Sequence, residues 1–214
     1  MKSKILNITN GDAFNSYFLS EYGGKAVPFR EAMMDGGTVS DIYSPEFIGL
    51  RSDELKVTCE EYRRNMLVYD ALNENEYTEL HLWFGKDTFC QMNLVTLLAY
   101  LEQARYSAKV VLNYIDDETF EVLESNIDLE LGMYDSLYKM ILISKQMPRE
   151  TAKLDGEAIK LYFDYHSDNG ALAQKVRDNS NMERIDLICL LLNNSKEYGL
   201  SDIQAEELIK RYAK

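Results

Sequence analysis

The sequence predicts an α/β fold: a three-layer, mostly parallel, Rossmann-like sheet followed by a helical C-terminal subdomain. Three observations predict it. Short apolar β-type runs alternate with segments of helical periodicity as far as Ile115, the pattern of a parallel sheet covered by helices on both faces. Two of those runs hand over abruptly to polar, glycine-bearing turns, Asn10-Gly11-Asp12 and Gly85-Lys86-Asp87. From about Asp155 only helical patterns remain. The expected organisation is an α/β domain over 1–150 with a ligand cleft, and helices over 151–214.

The elements follow in order. Lys4 to Thr9 reads as a first strand, and Asp12 as the N-cap of a helix that begins near Ala13. Ala26 to Arg30 is a short second strand, and Met33 to Tyr43, with Asp35-Gly36-Gly37, is a loop. Ser44-Pro45-Glu46 starts a helix with a capping serine, proline in the first turn and an acidic residue after it. Helical periodicity runs on to about Leu72 with one break expected. Leu80 to Phe84 is the third strand. Phe89 to Leu101 is a helix with Leu94, Leu97, Leu98 and Leu101 along one stripe, and Lys109 to Ile115 is the fourth strand. Leu137 to Ser144 fits a strand or a helix equally. Glu157–Tyr165, Ala171–Arg177, Ile185–Asn193 and Ser201–Tyr212 read as helices.

Composition excludes several classes. The 214 residues carry a net charge of −13, which argues against a nucleic-acid binder and against an anionic membrane surface. Within 155–214 there are 11 acidic and 8 basic side chains, a poor balance for a DNA-reading face despite the helical turns there. Three scattered cysteines without a Cys-x-x-Cys pair suit neither a disulfide framework nor a zinc site, so a cytoplasmic setting is expected. Met1 to Lys4 leads at once into a strand-like segment, so no secretory leader is expected, and the longest aliphatic run, Leu187 to Leu192, is too short to span a bilayer.

Candidate site residues gather where strands end, because open α/β sheets bind ligands there. Asp87 and Gln91, four residues apart, project from the same side of one helix if it begins near Asp87. Unpaired N–H groups of that first turn would favour an anion. Asp87 then acts as a general base or holds a substrate hydroxyl; its alternative is a plain helix cap with Gln91 solvated. Gly11 allows a ligand close to the backbone, and Asn10 can orient it. Arg30 and Arg51 suit a phosphate or carboxylate, Arg30 with Glu31 beside it; the alternative is ordinary ion pairing. Trp83 walls a pocket or fills the core. Cys90 would be a nucleophile if a helix N-terminus lowered its pKa, but no histidine lies near it in sequence. His81 and His166 lack an evident ligand set, so no transition-metal site is expected; Mg²⁺ held by Asp12 or Asp87 and a substrate phosphate stays open.

These residues resemble a bacterial family catalogued only as domain of unknown function 1835. Asn10-Gly11-Asp12 is similar to its opening motif. Arg30-Glu31-Ala32 with Asp35-Gly36-Gly37 is similar to its second, and Arg51 follows at a matching interval. Trp83-Phe84 with Asp87, Cys90 and Gln91 resembles its third motif, and Gly199-Leu200-Ser201 with Glu206 and Leu208 its frequent helical tail. Members commonly carry an acidic residue and a histidine where Gly85 and Lys86 stand here, and a tryptophan where Phe29 stands. The resemblance implies that the separate polar clusters form one constellation. The resulting expectation is an enzyme acting on, or a protein binding, a small anionic, phosphate- or nucleotide-like metabolite. Asp12 and Asp87 would be its catalytic carboxylates, with Asn10, Gly11, Arg30, Glu31, Arg51, Trp83 and Gln91 holding the substrate. The alternative is a non-catalytic ligand sensor or interaction module that works through its C-terminal helices, as a homodimer or with a protein partner.

Overall fold

The computed structural model describes residues 4–73 and 76–213. Five strands form one sheet in the order β2-β1-β3-β4-β5: β1 (Ile5–Asn10), β2 (Ala26–Phe29), β3 (Glu79–Phe84), β4 (Lys109–Ile115) and β5 (Val122–Leu129). The first four run parallel, and β5 returns antiparallel to β4. Ile8 sits beside Val27 on one side and Leu82 on the other, and Leu82 beside Leu112, so apolar residues of neighbouring strands lie level. This is the expected three-layer α/β architecture.

The two faces are covered unequally. Leu80, Leu82 and Phe84 of β3 enter the main core, while His81 and Trp83 alternate to the other face. There α1 (Asp12–Glu21) packs Phe14 and Phe18 against Trp83 and Ile115. The main face carries α5 (Thr88–Gln103), which is buried continuously from Cys90 to Leu101, as expected of a helix enclosed on all sides. One apolar cluster continues from the strands through α5 into α7 (Gly156–Tyr165), α8 (Ala171–Asp178), α9 (Arg184–Asn193) and α10 (Asp202–Tyr212). The sheet region and the C-terminal helices therefore share a core. Among the described residues no helix is long and apolar enough to cross a membrane.

Several expectations change in detail. The stretch after Ser44 is broken twice, into α2 (Pro45–Glu54), α3 (Cys59–Asn65) and α4 (Leu67–Asn73). Lys56 turns left-handed at φ 57°, and Thr58 with Glu61 forms a capping box that starts a new helix. Leu137–Ser144 is helical: α6 (Tyr134–Tyr138) runs into a π-helical turn over Lys139–Ile143. β5 was not expected at all. Asp12 does not cap α1; the cap position is Gly11, and the Asp12 carboxylate turns instead to Arg30.

Candidate functional site

The strand order reverses between β1 and β3, and ligands gather outside the carboxyl ends of strands at such a point. Asn10 ends β1, and the Gly85-Lys86-Asp87 turn leads from β3 into α5. Asp87 is the N-cap of α5: its Oδ1 accepts from the Cys90 N–H at 2.9 Å. The Asn10 amide donates to the Cys90 sulfur at 2.8 Å, and the Asn93 amide donates to Asn10 Oδ1 at 2.9 Å. The ends of β1 and β3 are thus tied together through α5.

The end of β4 supplies the residue that the sequence reading missed. Asp117 follows Ile115 and Asp116 in the turn to β5. The residue is exposed, but its carboxyl group folds inward, where Oδ2 accepts a long hydrogen bond of 3.4 Å from the Cys90 thiol. Asp87, Cys90 and Asp117 offer ligand atoms within 4.8 Å of one another. Burial raises the Asp117 carboxyl first, and hydrogen bonding to Asp87 with the Asp87 charge adds to it, so its pKa is pushed up to about 8. At neutral pH Asp117 therefore largely holds a proton. A signal for it was present: an Asp-Asp pair directly after a predicted strand is where a strand-end site should be sought.

Two glycines make room for this pair. A Cβ at position 85 would overlap the carboxyl groups of both Asp117 and Asp87. Gly199, in the C-terminal segment, lies against Asp87 from the other side, with a left-handed φ of 66°. Next to the pair opens a cleft of about 510 Å³, within the size range of small-molecule sites. Its walls come from the turn after β3, the β4–β5 turn, the start of α7 and the 196–200 segment.

Most of the expected substrate-binding residues lie elsewhere. Arg51 is 1 % exposed, and all its guanidinium donors are engaged. Nε and Nη2 bond to Glu31 at 3.1 Å, Nη2 to the Ala32 carbonyl, and Nη1 to the carbonyls of Asp35 and Gly37. Glu31 is equally buried and also accepts from the Tyr62 hydroxyl. The Arg30-Glu31-Ala32, Asp35-Gly36-Gly37 and Arg51 motifs are therefore one loop wrapped around a buried ion pair, with no donor left for a ligand. Arg30 is held by Asp12 at 2.8 Å and by the Asn65 carbonyl, and neither it nor Asp12, 64 % exposed, lines the cleft. Gln91 is fully buried; its amide donates to the Gly85 carbonyl at 2.7 Å and its oxygen accepts from the Asp155 N–H at 2.9 Å. It fixes the glycine turn to the start of α7 rather than facing a ligand. Trp83 stands among Phe14, Phe18 and Tyr22, its indole N–H on Asn7.

Cys90 does not fit a nucleophile. Burial, then the charges of Asp87 and Asp117, push its thiol well above the usual range, and these outweigh the backbone hydrogen bond at Gly85 that lowers it. Among the described residues, Asp87, Cys90 and Asp117 form the group that could hold a metal ion. One Asp87 oxygen already caps the helix, however, and a thiol is a poor ligand for a hard cation, so a cation here would have one carboxyl oxygen from each aspartate and would have to displace the Asp117 proton. Mg²⁺ at Asp12 would compete with the Arg30 guanidinium.

Comparison of the chain with protein-family models, with curated proteins and with solved structures gives no match.

Proposed function

We propose that this chain binds a small metabolite in the strand-end cleft and carries out acid–base chemistry there with Asp117. The observation that carries this reading is the Asp87–Asp117 pair at the cleft wall, with its proton on Asp117 near neutrality. A group that titrates close to the working pH can both give and take a proton, and a positioned general acid contributes about 10²–10⁴ in rate. Asp87 keeps the proton on Asp117, and Asn10 and Cys90 orient the pair. The resemblance to the domain of unknown function 1835 family belongs to this proposal, with Asp117 added to its constellation. So does a cytoplasmic setting, supported by three free cysteines.

The test is a thermal-shift panel of amines, sugar phosphates, nucleotides and carboxylates, with and without Mg²⁺, on wild type and Asp87→Asn. A compound at about 100 times its Kd should add roughly 2.7 kcal/mol to stability. A shift lost in Asp87→Asn supports the reading, and turnover assays on that compound follow. An unshifted panel removes it.

One observation favours a second reading, a non-catalytic interaction module that works through the 132–150 segment and not through the C-terminal helices expected from the sequence. Met133, Met140 and Met147 are exposed around a groove of about 590 Å³ after β5, and methionine surfaces adapt to varied partners. That reading expects a partner lost on Met140→Lys with no small-molecule shift.

A further inference from the structure

The charges around the cleft restrict what can enter it. Five of its carboxyl groups, Asp87, Asp116, Asp117, Asp155 and Glu197, have no salt bridge among the described residues. The two cleft lysines are committed outward or across: Lys196 pairs with Glu118 at 2.6 Å, and Lys86 reaches Glu124 at 3.4 Å while lying over the Tyr114 ring. An anion arriving alone would meet an acidic wall whose two lysines are already paired. The expected anion-binding arginines, Arg30 and Arg51, are both engaged elsewhere. The rest of the wall is aliphatic, with Leu123 from β5, Leu161 from α7, Leu192 from α9 and Leu200 beside Gly199. A hydrated metal ion makes no use of such a wall.

Resting on the strand-end site proposed above, we propose that its ligand is a small aliphatic amine, with the ammonium group at Asp87 and Asp117 and the carbon chain along Leu161, Leu192 and Leu200. An ammonium carries three donors and no acceptor, and the carboxyl oxygens of the pair supply acceptors without displacing the Asp87 cap. The leucines take the chain out of water. The C-terminal segment supplies the apolar wall as well as Gly199, so it completes the site instead of only packing on the sheet.

Titration calorimetry on the full chain tests this, with n-alkylamines from propyl to hexyl, the matching alkanols, MgCl₂ and inorganic phosphate as probes. The expected result is amine binding that tightens about fourfold for each added methylene until the cleft is filled, with no heat from the alkanols. Asp87→Asn, which keeps a helix-capping side chain and removes the charge, should weaken the amine at least about tenfold, and Leu161→Ala should flatten the chain-length series. Circular dichroism confirms that each variant is folded, and a chain-length slope in wild type carries the inference even if a variant fails. Amines that bind no better than alkanols overturn it. If amines fail while a phosphate or a Mg²⁺-borne anion binds and Asp87→Asn abolishes that binding, the ligand class falls and the strand-end site stands. If no probe binds, both fall.

Discussion

Gly199 lies so close over Asp87 that any side chain at 199 would overlap the Asp87 carboxylate, although the two stand 112 positions apart in sequence. Asp87 caps α5 just beyond the carboxyl end of the central strand β3, and Gly199 sits just before the last helix. Thr88 strengthens the same junction by bonding the carbonyls of Ala158 and Glu197 at 3.2 Å. The C-terminal helices are thereby locked to the β3 turn at the point where the carboxyl pair is held.

Substituting either glycine of this clamp should disturb the pair. Gly199→Ala combines a left-handed backbone with the overlap on Asp87, and the backbone alone costs about 1–2 kcal/mol. Gly85→Ala adds a methyl group where both carboxyls already sit, an overpacking cost of about 1–3 kcal/mol. Chemical denaturation should show both losses. Gly49→Ala, at a position with open space around its Cβ, should show no such loss and serves as the control.

The pair should also write a signature into the pH dependence of stability. Asp117 titrates near pH 8 in the folded chain and near 3.9 when unfolded, so between those values the folded state holds the extra proton. Its contribution is fully present below about pH 4 and is lost as pH rises toward 8. Asp117→Asn keeps the uncharged form at every pH. Its melting temperature relative to wild type should therefore rise from pH 5 to pH 9. A difference independent of pH would show that Asp117 titrates as an ordinary surface carboxylate.

The parallel frame was legible because β1, β3 and β4 are short apolar runs ending in glycine or aspartate turns, and α5 carries Leu94, Leu97, Leu98 and Leu101 along one stripe. β5 was not, because Val122 to Asn126 stand exposed on an edge strand and leave no burial pattern to read. Of the candidate site, Asp87 and Asn10 were found at strand ends, whereas Asp117 was missed. Its partner is thirty residues away in sequence and meets it only through the β3–β4 pairing. Arg51 was given to a substrate because a sequence does not distinguish an arginine that faces solvent from one enclosed by Glu31 and a loop of carbonyls. Gln91 was placed on the right turn of the right helix, but its direction depends on α7 arriving beside it.

Thiol reactivity separates Cys90 from the other cysteines. Cys59 and Cys189 are exposed, while Cys90 is buried with its thiol held between Asn10 and Asp117. A disulfide reagent at pH 8 should label two thiols quickly in the native chain and the third only after denaturant is added. Rapid labelling of three would mean that the carboxyl pair opens readily and that Cys90 is accessible to chemistry.

The buried Arg51–Glu31 pair gives the sharpest contrast between a structural and a substrate-binding role. Removing one member leaves a charge buried without its partner, which costs about 3–5 kcal/mol, while replacing both by groups of similar volume is often nearly neutral. Arg51→Met should therefore destabilise the chain by that amount, and Arg51→Met with Glu31→Leu should recover much of the loss. Under conditions where the double variant is folded, its affinity for a cleft ligand should match wild type, because every Arg51 donor points into the 31–37 loop and none toward Asp87. Equal stability with lost binding would return Arg51 to the site. Recovered stability with intact binding would leave the cleft chemistry to Asp87 and Asp117.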